Sequence, residues 1–215
     1  KVGQRPSHWF PFLLTFEKPS DAYDWARKIS HHPSLKPHDV IVYHTELTRV
    51  LKEQSSGKML IDDKDVVLIA FADEGQARGF KAYLNEQGLQ TADEASAHYL
   101  WEERFLPMSI KHLGPSLLAT EVLLPLDQVA AYFEKISEWS KRLGVTFYPS
   151  SHLVGRGQVL FLAMVTSDHR KAVFYIDLML VPMMVRLAVQ FYQGKPYGLG
   201  IWNTPFLRDL YSKEE

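Results

Sequence analysis

No cysteine occurs in the 215 residues, which excludes disulfides, thiolate metal sites and a cysteine nucleophile together. Charge of one sign is also missing: 24 basic against 25 acidic residues leave a formal net charge of −1, with no long-range field for nucleic acid or anionic surfaces. No block of five or six basic residues is present, so a nucleic-acid arm is not expected. The phosphate loop of the P-loop enzymes, the serine elbow and the dinucleotide glycine fingerprint are all absent. The nine histidines show no His-x-His or His-Glu-x-x-His spacing, and adjacent His31 and His32 diverge on a helix. No charged-then-apolar leader precedes the first apolar run. The most apolar window, AVFYIDLMLVPMMVRLAV (172–189), is broken by Asp177, Pro182 and Arg186, so it reads as a buried, proline-containing helix rather than a membrane span. A reducing, cytoplasmic setting is the expectation.

What is present has an order. WFPFLLTFE (9–17) reads as a strand, and Ser20 as the cap of a helix with Ala22, Trp25, Ala26 and Ile29 at helical spacing. DVIVYH (39–44) is a strand, TELTRVLKEQ (45–54) a short helix and DVVLIAFA (65–72) a buried strand. DEGQARGFKAYLNEQG (73–88) is a helix stopping at Gly88, and residues 91–105 read as helical again. After the central stretch LWEERFLPMSIKHLGPSLLATEVLLP (100–125) the order recurs. SLLATEVLLP is a strand. Asp127 then caps a helix with Val129, Tyr132, Phe133, Ile136, Trp139 and Leu143 on one face, closed by Gly144. VTFYPSSHLV, the turn GRGQ and QVLFLAMVTSD form two further strands before the last helix.

Two pairs of segments are alike: TFEKPSDAYDWARKIS with EVLLPLDQVAAYFEKIS, and VVLIAFADE with VLFLAMVTSD. A duplicated strand-helix unit follows. The expected class is α+β, with two ferredoxin-like halves sharing one mostly antiparallel sheet and helices on one face. The halves are placed at about 1–90 and 116–215, with a connecting helix at about 91–115, all in one cap-type domain.

LWEER (100–104), EVLLP (121–125), SHLVGRGQVL (151–160) and PYGLGIWN (196–203) follow one another over roughly residues 100–207. In order and spacing these segments resemble the C-terminal, substrate-side domain of FAD-linked oxidases. The group is that of glycolate oxidase and D-lactate dehydrogenase, within the vanillyl-alcohol-oxidase-type flavoenzymes. That family carries Leu-Trp-x-x-Arg, then Asp-Val-x-x-Pro, then Gly-His-x-Gly-Asp-Gly-Asn-x-His, then Glu-His-Gly-x-Gly.

The resemblance implies that Arg104 meets a substrate carboxylate, for which a guanidinium fork is suited; a surface arginine paired with Glu102 or Glu103 is the alternative. It places His152 and Arg156 on the substrate, Tyr197 at the catalytic position and Asn203 toward the cofactor. The metal-linked motif is incomplete here, because Leu160, Arg156 and Gln158 stand where the family has His, Asp and Asn. No metal is therefore expected. The family's Glu-His pair falls on Pro196 and Tyr197, and a tyrosine is a poor base at neutral pH.

The implied function is the cap of an FAD-dependent oxidoreductase acting on a small hydroxy acid or alcohol. The FAD would be held mainly by an N-terminal domain or subunit absent from these residues, so the chain alone should neither bind flavin tightly nor turn over substrate. The alternative is a stand-alone ferredoxin-like binding or dimerisation module. The site residues are expected to converge on the face that meets the flavin domain, with Trp202 and Phe206 exposed there.

Overall fold

The computed structural model describes residue 6 and residues 8–155 and 157–197. Two compact units divide at Leu106 and Pro107. The first contains β1 (Phe10–Phe16), α1 (Pro19–Ser30), β2 (Asp39–Tyr43), α2 (Thr45–Gln54), β3 (Asp65–Phe71), α3 (Glu74–Glu86) and α4 (Glu94–Glu102). Its strands lie in the order β1-β3-β2, and both pairings are antiparallel. Every residue of β3 is buried, which requires cover on both faces. Rings of Phe12, Trp25, Phe71 and Phe80 interlock on the face beneath α1 and α3. Helix α4 lies on the reverse face, where Trp101 meets Trp9 with ring centroids 5.0 Å apart.

Local chemistry fixes where these helices begin and end. Asp73 accepts the Gln76 N–H to open α3, and Asp93 accepts the Ser96 N–H to open α4. Beyond α3, Gly88 takes a left-handed φ of 65° while Leu89 N–H bonds the Leu84 carbonyl, the closure that glycine favours. Ser20 does not cap α1. The helix starts one residue earlier at Pro19, whose fixed φ suits the first helical position, and the Ser20 hydroxyl faces Asp21 instead.

The second unit, entered through a 3-10 helix (Leu106–Leu113), contains β4 (Ser116–Pro125), α5 (Val129–Leu143), β5 (Phe147–Leu153), β6 (Gln158–Ser167), α6 (Val173–Phe191) and β7 (Lys195–Pro196). Its order β5-β6-β4-β7 is antiparallel throughout, with α5 and α6 as the two crossovers. This is the ferredoxin-like arrangement. The first unit has the same order for its three strands but carries α2 where the second has a hairpin. Among its described residues the place of a fourth strand is taken by the Ala92 N–H bonded to the Leu13 carbonyl. Both units are α+β with antiparallel sheets. Asp127 precedes α5 without capping it, because the helix begins at Val129 with Gln128 at its cap. Gly144 closes α5 at φ 63°.

Candidate functional site

Strand β4 alternates, with Leu118, Thr120, Val122 and Leu124 buried and the residues between them more open. The buried set faces the helices: Thr120 donates to the Val181 carbonyl of α6, and Tyr132 of α5 sets its ring edge-on to Phe161 of β6 at 5.2 Å. Tyr132 also donates to the Met184 carbonyl, fastening α5 to α6. Both helices therefore lie on one side, and the other side of this sheet receives neither.

Register sets what that other side displays. One row runs His152, Leu160, Leu123, Lys195 across β5, β6, β4 and β7. The next runs Ser150, Leu162, Glu121, and is continued by Tyr197, whose N–H bonds the Glu121 carbonyl. Apart from buried Ser150, these residues are half-buried or exposed. Glu121 is the only charged residue of β4. Its carboxylate has no hydrogen-bond or ion-pair partner among the described residues, and partial burial raises its pKa above the usual glutamate range. A carboxylate held this way, about one strand spacing from a tyrosine, is equipped to accept a proton from a hydroxyl placed against the sheet.

Tyr197 owes its place to Gly194. The Gly194 N–H bonds the Ala188 carbonyl at 2.9 Å as the chain leaves α6. A Cβ at residue 194 would stand 2.9 Å from Leu124 Cδ2 and 3.0 Å from both Ala188 Cβ and its carbonyl oxygen. Gly194→Ala should therefore cost about 1–3 kcal/mol in a urea titration and shift the amide resonances of residues 195–197. Wild-type stability in that variant would show that the turn has room to spare.

Among the expected site residues, His152 and Tyr197 share this face, with β6 and β4 between them. Arg104 belongs to the first unit. Its guanidinium lies 4.5 Å from the Trp101 ring centre and 5.1 Å from that of Phe105, and donates to the Trp101 carbonyl at 2.8 Å. It closes the C-terminus of α4, and among the described residues it pairs with neither Glu102 nor Glu103. Arg156, Asn203, Trp202 and Phe206 lie outside the described residues. No three His, Cys, Asp or Glu side chains among the described residues gather to hold a metal ion. Glu121 was not expected as a site residue. Its signal was a lone acid in an otherwise uncharged strand, inside the segment EVLLP already singled out for its spacing.

No family model matches the chain, and no curated protein matches it. Solved structures do. A 4-ethylphenol oxidase from Gulosibacter chungangensis superposes over 97% of this chain and 49% of its own, with a TM-score of 0.71 at 11% identity. A p-cresol methylhydroxylase matches over 98% of this chain and 48% of its own, with a TM-score of 0.66 at 10% identity. An alkyldihydroxyacetonephosphate synthase matches over 95% and 43%, with a TM-score of 0.64 at 14% identity. At these identities the likeness is one of fold, and the chain spans about half the length of the solved proteins it matches.

Proposed function

We propose that these 215 residues are the substrate-facing cap of an FAD-dependent oxidoreductase that acts on a small alcohol or hydroxy acid. The observation that carries this reading is the sheet face of the second unit, where Glu121 and Tyr197 stand among leucines on the side away from both helices. Two further facts support it: the resemblance of residues 100–207 to FAD-linked oxidases, and a fold shared with an oxidase and a methylhydroxylase named for phenolic compounds.

FAD needs a cradle for its pyrophosphate, for which helix N-termini are the ready-made site. Here α1, α2, α3 and α4 each carry an acid in the first turn, Asp21, Glu46, Glu74 and Glu94, and Asp127 stands just before α5. These carboxylates repel phosphate, so the helix starts of α1–α5 do not fit the phosphate-bearing part of the cofactor, which on this reading is held by a separate flavin-binding domain or subunit. When bound, the flavin supplies the hydride acceptor. The residues of this chain orient the substrate, exclude water and take the hydroxyl proton.

The test is a titration of the isotope-labelled chain with benzyl alcohol and with lactate, followed by amide shifts. The expected shifts centre on residues 119–123, 152 and 195–197. The neutral alcohol should bind more tightly at neutral pH, because ionised Glu121 repels an anion. Shifts scattered over both units, or confined to the first, would remove the reading. Purified alone, the chain should be colourless.

A further inference from the structure

We propose that the outer face of α6 docks on an anionic lipid bilayer, with the helix lying flat in the head-group region. The inner face of α6 is already spent on this unit's own core: Leu180, Val181, Met184, Val185 and Ala188 are buried, and Asp177 accepts the Ser167 hydroxyl. The outer face is apolar all the same. Tyr175, Ile176, Met179 and Met183 are 69%, 57%, 59% and 46% exposed on successive turns, with Val173 open at the start of the helix. A contiguous patch of this kind marks an interaction surface. Among the described residues, α6 is the helix long and apolar enough to cross a membrane. With one side packed on the sheet it offers a bilayer only the other, the geometry of an interfacial helix about 28 Å long.

Charge decides the occupant. Asp177, the only acid of α6, is turned inward, so the helix exposes no carboxylate. Arg170 and Lys171 share the single carboxylate of Asp168 at the N-terminal end, which leaves a positive charge there, and Arg186 is exposed toward the other end. Apolar side chains between cations suit anionic head groups. A second copy suits them poorly, because two-fold antiparallel pairing of α6 sets the Arg170–Lys171 end against Arg186 with no acid on the helix to neutralise either. The face also lies on the opposite side of this unit's sheet from Glu121, so docking would leave the candidate site free.

The experiment is co-sedimentation of the chain with phosphatidylcholine vesicles, with and without phosphatidylglycerol, alongside sedimentation velocity without lipid. Binding is expected to the phosphatidylglycerol vesicles and to weaken with salt. The doubly substituted Ile176→Glu, Met179→Glu chain should lose it by about tenfold or more while keeping its circular dichroism spectrum. Lys171→Glu with Arg186→Glu, which leaves the apolar patch whole, should weaken binding about tenfold at low salt. No binding to anionic vesicles overturns the proposal, as does binding that neither pair of substitutions reduces. A dimer broken by Ile176→Glu, Met179→Glu in the absence of vesicle binding overturns it in favour of a self-interface.

Discussion

On the proposed reading, Glu121→Gln is expected to slow substrate-dependent flavin reduction about 10²–10⁴-fold once the chain is joined to its flavin-binding domain, the usual contribution of a positioned general base. The Glu121 carboxylate would take the hydroxyl proton while the flavin would supply the acceptor for the carbinol hydride; glutamine keeps the shape and cannot take the proton. Stability should move the other way. Burial raises the folded pKa of Glu121, so its ionised form is less favourable in the folded chain than in the unfolded one. Below the ordinary glutamate range both states are protonated and the penalty vanishes; as pH rises through the raised folded pKa the penalty sets in. The variant should therefore melt higher than wild type at neutral pH and no higher at pH well below 4. Rate and stability moving in opposite directions is the mark of a residue kept for chemistry. An unchanged rate, or a loss of stability at neutral pH, would count against the role assigned to Glu121.

Period and composition made most of the elements legible. The buried run 65–72 and the apolar run 116–125 reappear as β3 and β4 within a residue of where their patterns stop. What was not legible depended on competition between neighbouring residues and on burial that only the fold sets. Ser20 and Asp127 have good capping chemistry, but Pro19 and Gln128 set the helix starts. The window 172–189 reads as fully buried because its apolar residues surround the helix; only the fold shows that one side faces outward. Arg104 reads from sequence either as a fork for a carboxylate or as a surface arginine paired with Glu102 or Glu103; its stacking on Trp101 and Phe105 belongs to neither reading. Glu121 escaped notice because burial of its surroundings, which no local pattern reports, is what perturbs it.

A partner remote in the chain sets the other large effect. Asp65→Ala should destabilise the chain by about 3 kcal/mol, although Asp65 stands at the start of a strand with no sequence neighbour that needs it. Helix α2 has no cap of its own: His44, at its N-cap, makes no side-chain cap bond. Asp65 supplies the missing group from β3. One oxygen accepts both the Thr45 N–H at 2.8 Å and the Thr45 hydroxyl at 3.0 Å, placing a carboxylate at the positive end of the helix. The same oxygen lies 3.4 Å from His44 Nδ1, and His44 Nε2 in turn lies 2.8 Å from the Tyr23 hydroxyl of α1. Asp65, His44 and Tyr23 are buried and Thr45 is half-buried, so removing the carboxylate strips partners from groups that water reaches poorly or not at all. Asp65→Asn keeps the acceptor for Thr45 and gives up only the charge, so it should cost about half as much. Chemical denaturation of the two variants separates the contributions. Equal losses would assign the whole effect to the charge, and a loss below about 1 kcal/mol for Asp65→Ala would show that Asp65 does not cap α2.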